Sequence, residues 1–231
     1  MAFVLSPEVR AGLRDIAPAL VACVPIGALF GALAAAKGLS IAEVALMSAT
    51  VFAGGSQFAA VEAWREPAPL LLLAFTALLI NARHLLMGAS LTLKTAGFKP
   101  WQRYLGFAVM ADENWAMAER RVGEAPLTAT YWFAMGVVFW LNWQVWSIVG
   151  AVGGSFMGDP KRLGADFAFT AIFIGLIAGF CRTKRAALTV AAAGAASAVA
   201  HLSVGAPWHV AIGALAGIAA GYLSAEKEKL A

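Results

Sequence analysis

Residues 129–152 read ATYWFAMGVVFWLNWQVWSIVGAV, a stretch without a charged side chain. A helix needs about 20 predominantly apolar residues to cross the roughly 30 Å hydrocarbon core of a bilayer, so this stretch is long enough. Trp140, Trp143 and Trp146 recur in it at three-residue spacing, which is typical of an interfacial belt or a helix-packing face. The stretch therefore predicts a transmembrane helix.

The composition extends this prediction to the whole chain. Of its 231 residues, 61% are hydrophobic and 13% are charged, whereas soluble domains are about 45–50% apolar and about 25% charged. Because so few charges cannot cover a soluble surface, we expect one integral membrane domain over residues 1–231. Residues 1–15 form a polar N-terminal segment, and residues 224–231 form a polar C-terminal tail.

Apolar runs predict an all-α, polytopic bundle of seven to eight transmembrane helices. The predicted spans are approximately 16–36, 41–63, 69–90, 129–152, 165–181, 186–203 and 210–223. The shorter stretch 104–118 has polar residues at its centre, so it crosses, half-crosses or lies re-entrant. The motif His84-Leu85-x-x-Gly88-Ala89 recurs as His201-Leu202-x-x-Gly205-Ala206, which reflects either an internal repeat, as is common in transporters, or chance.

The 17 Lys and Arg residues orient the chain in the membrane. They give a net charge of +4 and collect in short connections between apolar runs, as the positive-inside rule describes. Both the seven-span and the eight-span topologies then place the C-terminus in the cytoplasm. This distribution indicates contact with a lipid bilayer and does not indicate a nucleic-acid partner.

The second apolar run is broken at Gly54-Gly55-Ser56-Gln57. Each glycine weakens a helix by about 1 kcal/mol relative to alanine, and unwound backbone at membrane depth must line a cavity or be buried in protein. Discontinuous helices form substrate sites in many transporters, so these four residues are substrate-binding candidates; tight helix packing is the alternative. Pro25 removes a backbone donor within the first span and is predicted to kink it.

The third run contains Asn81-Ala82-Arg83-His84 well inside its apolar sequence. A charge at bilayer depth costs at least about 2.5–3.5 kcal/mol, so Arg83 must pair with an acid, face a wet cavity or reach the interface. Its planar guanidinium group matches a substrate carboxylate. Asn81 and Arg83 are therefore substrate-binding candidates, and His84 is a proton-coupling candidate, because histidine commonly serves as a proton shuttle.

Three acids are further candidates for proton coupling. Asp112 and Glu113 lie at the centre of 104–118, and ionisable groups at membrane depth mark proton pathways in many transporters. Alternatively, one of them pairs with Arg83, or the stretch lies at the surface. Asp166 stands at the start of the run 165–181, where stabilisation of a helix N-terminus explains it equally well.

No enzyme or cofactor signature appears in the sequence. It lacks a phosphate loop ending in Gly-Lys-Ser/Thr, the zinc motif His-Glu-x-x-His and the nucleophile motif Gly-x-Ser-x-Gly. Cys23 and Cys181 lie in separate apolar runs and suggest neither a disulfide nor a metal site. We therefore predict a transporter without catalytic residues, cofactor or metal. An importer or channel for other small solutes, or a non-transporting membrane scaffold, is the alternative.

Several of these motifs together resemble the AzlC-like branched-chain amino acid permease family. The resemblance covers about residues 10–185. Its motifs are Pro25-x-Gly27-x-x-x-Gly31, Val51-Phe52-Ala53-Gly54-Gly55-Ser56-Gln57-Phe58, Asn81-Ala82-Arg83-His84, Asp112-Glu113 and Asp166-Phe167. It implies export of branched-chain amino acids across the bacterial inner membrane, driven by the proton motive force, with a small AzlD-like membrane subunit as partner.

A transport mechanism follows as a hypothesis. The broken second helix and Gln57 would bind the amino acid zwitterion, and Arg83 would bind its carboxylate. Small apolar walls would accept the aliphatic side chain, while Asp112, Glu113 or His84 exchanges a proton. Since a missing methylene changes binding by only about 1–3 kcal/mol, broad specificity for aliphatic side chains is expected.

Overall fold

The computed structural model of the chain describes residues 5–65, 67–154, 183–205 and 208–229, with the isolated positions 174, 177, 178 and 181. Within these ranges the regular elements are helices, which confirms the predicted all-α membrane fold. The helices are α1 (Pro7–Ala36), α2 (Ile41–Thr50), α3 (Gly54–Ala63), α4 (Leu70–Asn81), α5 (Arg83–Thr92), α6 (Pro100–Ala108), α7 (Asp112–Val122), α8 (Ala129–Gly154), α9 (Lys184–Ser203) and α10 (Trp208–Lys229).

Helices α1 and α8 form a parallel pair at the centre of the described structure. A Cβ atom built on Gly31 of α1 would lie 1.9 Å from the carbonyl oxygen of Ser147, and one on Gly150 of α8 would lie 1.9 Å from that of Ala28. Only glycine permits such contact between two backbones, and small residues mediate close helix packing in membranes. We call the membrane face where α1 begins the first face and the opposite one the second face.

The predicted second span is instead a re-entrant hairpin that enters from the second face. Helix α2 begins just beyond the end of α1, where Ser40 and Glu43 form a capping box. At the other end of the hairpin, Lys37 Nζ donates to the carbonyl oxygen of Glu62, at 3.2 Å. Each arm has 10 residues and is about 15 Å long, so the turn at 51–53 lies near mid-membrane and the chain returns to its starting face.

A second hairpin, formed by α6 and α7, enters from the first face. Arg103 near the start of α6 donates from Nε to the Thr95 carbonyl oxygen, at 3.0 Å, and Lys94 forms an ion pair with Glu119 near the end of α7. Both ends of this hairpin therefore lie beside the end of α5. Arg121 also forms an ion pair with Glu8 at the start of α1, at 2.7 Å. The stretch 104–118 is thus re-entrant, one of the three arrangements that the sequence left open.

Five helical segments of the described ranges are long and apolar enough to cross a membrane. They are Pro7–Ala36, Leu70–Thr92, Ala129–Gly154, Lys184–Ser203 and Trp208–Ala225. The predicted count of seven to eight spans is therefore not confirmed. The run 41–63 and the stretch 104–118 are hairpins, because neither of their arms is long enough to cross, and the predicted span at 165–181 lies outside the described residues.

Two local expectations have different outcomes. Helix α1 contains Pro18 and Pro25 and continues through both; the kink at Pro25 stays a prediction. The candidate repeat of His84 and His201 does not pair equivalent places, because His84 stands at the start of α5 and His201 near the end of α9. The hairpins instead form an inverted pair, an arrangement found in many transporters.

Candidate functional site

The two hairpin turns meet in a cavity of about 100 Å³ between α1, α5 and α8. Three helices begin at this cavity, and each contributes its first two residues to the lining. These residues are Gly54 and Gly55 of α3, Arg83 and His84 of α5, and Asp112 and Glu113 of α7. The structure thus brings together six of the predicted site residues from three separate segments of the sequence.

The start of α3 makes one part of the cavity favourable for an anion. The first backbone N–H groups of a helix have no partner within that helix, and the helix dipole places partial positive charge there. No side chain caps α3, because its N-cap residue is Ala53. The amides of Gly54 and Gly55 therefore lack a side-chain acceptor at the cavity wall, as in the broken helices of transporters that bind a substrate carboxylate.

Arg83 and Asp112 form an ion pair across this cavity. Arg83 Nη1 lies 2.8 Å from Asp112 Oδ2, and this pairing was one of the predicted alternatives for the acids. Arg83 Nε is buried and has no hydrogen-bond partner among the described residues. The guanidinium group therefore has one buried donor without a described partner, while Asp112 balances its charge.

Part of the cavity lining is apolar, and we call it the apolar wall. It consists of side chains from α1, the first hairpin and α8, namely Cys23, Ile26, Phe52, Phe58, Phe139 and Trp143. The lining therefore combines charged and apolar side chains, as the ligand groups of an aliphatic amino acid require. None of these apolar wall residues was a site candidate from the sequence, since each is an ordinary member of an apolar run.

Gln57 and Ser56 lie behind the cavity wall and are fully buried. The amide oxygen of Gln57 accepts from Trp143 Nε1, at 2.9 Å, and its amide nitrogen donates to Ser48 Oγ, at 3.3 Å. Ser56 donates from Oγ to Asn81 Oδ1, at 3.0 Å. The predicted roles of Gln57, Ser56 and Asn81 as direct ligands stay predictions, and in this structure their side chains join the first hairpin to α4 and α8.

His84 stands between this cavity and a second one of about 470 Å³. The second cavity lies between both hairpin turns and α4, and it shares Phe52, Ala53 and His84 with the first. His84 Nδ1 lies 3.3 Å from the Asn81 carbonyl oxygen. Its imidazole therefore contacts both spaces, a position suited to proton transfer.

Asp166 lies outside the described residues, so its proposed role stays a prediction. The described residues contain no group of three or more His, Cys, Asp or Glu side chains that could hold a metal ion.

The turns of the two hairpins share a sequence signal that the comparison of His84 with His201 did not find. Val51-Phe52-Ala53 precedes α3, and Val109-Met110-Ala111 precedes α7. In both, a Val-x-Ala triplet is followed by a polar or glycine-rich helix start. The triplet is too short to identify a repeat without the structure, but it marks the two equivalent turns.

Comparison with known proteins finds relatives of this chain by sequence. A family model described as "AzlC protein" matches residues 18–157, a range that includes both hairpins and the Arg83–Asp112 pair. "Inner membrane protein YgaZ" of Escherichia coli (strain K12) is 29% identical over 221 residues, covering 93% of this chain and 88% of that protein. "Branched-chain amino acid transport protein AzlC" of Bacillus subtilis (strain 168) is 30% identical over 151 residues, covering 64% and 58% respectively. No solved structure matches the chain.

Proposed function

The chain belongs to the AzlC family, and on that premise we propose that it exports branched-chain amino acids across the bacterial inner membrane. The name of the Bacillus subtilis relative supports this substrate class. The observation that carries the proposal is the Arg83–Asp112 ion pair, which lines a cavity together with the start of α3 and the apolar wall. This arrangement offers complementary groups for the carboxylate, the ammonium group and the aliphatic side chain of one ligand.

Binding would insert the zwitterion between the two members of the ion pair. The substrate carboxylate takes the place of Asp112 on Arg83, and it gains the free amides at the start of α3. The substrate ammonium group then neutralises Asp112, with Glu113 beside it. No net charge is added to the site by this exchange, so the cost of placing charge at membrane depth does not oppose binding.

The aliphatic side chain would lie against the apolar wall formed by Phe52, Phe58, Phe139 and Trp143. Such a surface has no polar group with which to recognise one aliphatic side chain. Because a methylene is worth only about 1–3 kcal/mol of discrimination, leucine, isoleucine and valine are all expected to be substrates. Glycine, which has no side chain for this wall, should bind weakly.

Energy coupling is proposed to use protons exchanged at the same cavity. Glu113, Asp112 and His84 all line it, and a carboxylate that binds a substrate ammonium group can instead bind a proton. Competition between proton and substrate at one carboxylate would couple the two fluxes. Asp166 remains a further candidate for this role.

The distribution of basic residues supports a cytoplasmic first face. Within 5–154, the basic residues of the first face are Arg10, Arg14, Lys94, Lys99, Arg103, Arg120 and Arg121, and those of the second face are Lys37 and Arg65. Since cytoplasmic loops carry the excess of Lys and Arg, we place the N-terminus in the cytoplasm.

Trp208 at the start of α10 contacts Phe75 in the second-face half of α4, with ring centroids 5.3 Å apart. Helix α10 therefore ends toward the first face, in agreement with a cytoplasmic C-terminus.

A small AzlD-like membrane subunit is proposed as the partner. Helix α4 buries none of its residues, and α9 buries only Ala200, so apolar surface is left for lipid or a second subunit. Affinity purification of the chain expressed with its neighbouring gene tests the partnership. A stoichiometric complex supports it, and recovery of the chain without that product contradicts it.

Counterflow of labelled leucine tests the proposed transport function. Membrane vesicles that contain the chain and its proposed partner are loaded with unlabelled leucine and diluted into labelled leucine with the proton gradient collapsed. A carrier gives transient accumulation of label inside the vesicles, whereas a channel gives only equilibration. A non-transporting scaffold gives no more label than vesicles without the chain. Dependence of efflux on an imposed proton gradient then separates an exporter from an importer.

A further inference from the structure

Trp143 belongs to the apolar wall. It is 5% exposed and lines the cavity, and its ring is stacked on Phe30 with centroids 6.0 Å apart. Phe30 in turn contacts Phe58 edge-on at 5.7 Å. The indole ring thus has an aromatic support in Phe30.

A buried hydrogen-bond chain fixes the orientation of the same ring. Trp143 Nε1 donates to Gln57 Oε1 at 2.9 Å, and Gln57 Nε2 donates to Ser48 Oγ at 3.3 Å. Gln57 and Ser48 are both fully buried, so water does not compete for these bonds. An unmade bond at this depth would leave a buried donor unsatisfied, and the indole ring is therefore held in one rotamer.

The far edge of the indole ring lies against the start of α3. A Cβ atom built on Gly54 would lie 3.1 Å from Trp143 Cη2 and 3.5 Å from Cζ2. Both atoms belong to the six-membered ring of the indole, at its outer edge. Glycine at position 54 therefore lets this ring reach the helix N-terminus and close that end of the cavity.

From these contacts we propose that Trp143 sets the upper size limit of the transported side chain and that Gln57 is the positioning residue that holds it. This inference rests on the proposed function and deepens it. Arg83 and Asp112 hold the charged groups of the amino acid, and the indole ring occupies space beside the start of α3, so the ring limits the room that is left for the side chain. Aliphatic side chains fit this space, and larger ones meet the ring.

The first test is the substrate preference of Trp143→Phe. Phenylalanine lacks the outer ring atoms of tryptophan, so the cavity becomes larger beside Gly54. In competition against labelled leucine, we expect methionine and phenylalanine to improve relative to leucine by about tenfold or more, the range typical of one or two added methylenes. Trp140→Phe is the matched control, because Trp140 lies on the same helix and does not line the cavity.

The second test uses the contact between Gly54 and Trp143. Gly54→Ala should displace the indole ring into the cavity and reduce leucine transport. In the double variant Gly54→Ala/Trp143→Phe, the new methyl group no longer meets Cη2 or Cζ2, so leucine transport should recover at least in part. Gly153→Ala serves as the control, since a Cβ there meets nothing within 4 Å.

The role of Gln57 is tested by Gln57→Met, which has a similar length and offers the Trp143 N–H no comparable acceptor. If Gln57 acts through Trp143, this variant should shift the preference toward larger side chains, as Trp143→Phe does. Gln57→Glu retains the acceptor oxygen and should keep the preference for leucine. The ratio of the transport rates of different amino acids is informative here, because a purely structural defect lowers the transport of all of them together.

The outcomes separate this inference from the proposed function. If wild-type vesicles show no leucine counterflow, the proposed function is wrong and the inference fails with it. If the wild type transports leucine while Trp143→Phe keeps the wild-type substrate ratio, only the inference is overturned. Failure of Trp143→Phe to rescue Gly54→Ala, with leucine transport by Trp143→Phe itself intact, would also overturn it.

Discussion

The Arg83 guanidinium group and the Asp112 carboxylate lie 2.8 Å apart. Arg83 belongs to the crossing segment that follows the first hairpin, and Asp112 belongs to the second hairpin, which enters from the opposite face. Arg83 begins α5 in the middle of the crossing segment Leu70–Thr92, and Asp112 begins α7 at the turn of the second hairpin. The pair therefore connects a spanning helix to a re-entrant one. Any motion of the second hairpin relative to α5 must lengthen or replace this contact, which makes it suited to a substrate-controlled step.

The first prediction concerns the stability of this ion pair. Arg83→Ala and Asp112→Ala each leave one charge of this pair without its partner in the middle of the membrane. We therefore expect each single variant to lose about 2.5–3.5 kcal/mol, the cost of an unpaired charge at that depth, in thermal unfolding of the purified protein. The double variant should be no less stable than either single variant, because it leaves no unpaired charge. Additive losses in the double variant would show that the two groups do not interact.

The second prediction concerns packing between α1 and α8. Gly150→Ala places a methyl group 1.9 Å from the Ala28 carbonyl oxygen, so the two helices must separate. Overpacking of this kind costs about 1–3 kcal/mol, and the variant should unfold at a lower temperature than the wild type in detergent. Gly153→Ala, on the same helix with no atom within 4 Å of its new Cβ, should unfold as the wild type does. Equal melting of the two variants would contradict the close parallel packing.

The third prediction concerns the two re-entrant hairpins. With Cys23 and Cys181 replaced, single cysteines at Ser40 and Glu62 should both react with an impermeant thiol reagent from outside the cell. Cysteines at Lys99 and Arg121 should react only when the reagent is given access to the cytoplasmic side. Crossing helices would place the two ends of each segment on opposite faces, so labelling of Ser40 and Glu62 from different sides would refute the first hairpin.

The fourth prediction concerns proton coupling at Glu113. Glu113→Gln retains the size of the side chain and removes its ability to exchange a proton. We expect the variant to lose leucine efflux driven by a proton gradient while it keeps leucine counterflow, since exchange of one substrate molecule for another needs no net proton movement. Glu124→Gln, a change at an acid beyond α7 that does not line the cavity, is the control. Gradient-driven efflux that survives in Glu113→Gln would exclude this residue as the required carrier.

The crossing helices were largely predictable from the sequence, and the hairpins were not. Long apolar runs predicted α1, α8, α9 and α10, because length and hydropathy are what lipid requires of a crossing segment. Residues 41–63 satisfy the same two criteria, yet they fold back to their starting face. The contact that reveals this, between Lys37 and the carbonyl oxygen of Glu62, depends on tertiary structure and leaves no pattern in the local sequence.

The helix break near Gly54 was predicted, but its place and its reason differ. The interruption occupies 51–53, and the two glycines begin α3. Val51 and Ala53 have φ values of −114° and −152°, which any residue adopts, so the turn itself does not require glycine. Gly54 is instead needed where Trp143 approaches the backbone, a contact between positions far apart in the sequence.

The charged part of the site was predictable because charge is rare in such a chain. Arg83, His84, Asp112 and Glu113 stood out as polar residues within apolar sequence, and all four line one cavity. The apolar wall was not predictable, since Phe139 and Trp143 resemble every other aromatic residue of a transmembrane helix. Gln57 was correctly identified as an unusual polar residue, but only the structure shows that its amide groups are bonded to Trp143 and Ser48.

The fifth prediction concerns substrate binding by Arg83 and is the most direct test of the central claim. It compares leucine counterflow in vesicles that contain wild-type protein or Arg83→Ala, adjusted to equal amounts of inserted protein. If Arg83 holds the substrate carboxylate, loss of its charge-assisted hydrogen bonds, each worth about 1.5–3 kcal/mol, should reduce counterflow by about 100-fold or more at subsaturating leucine while membrane insertion stays intact. Counterflow at the wild-type rate in Arg83→Ala would contradict the proposed site.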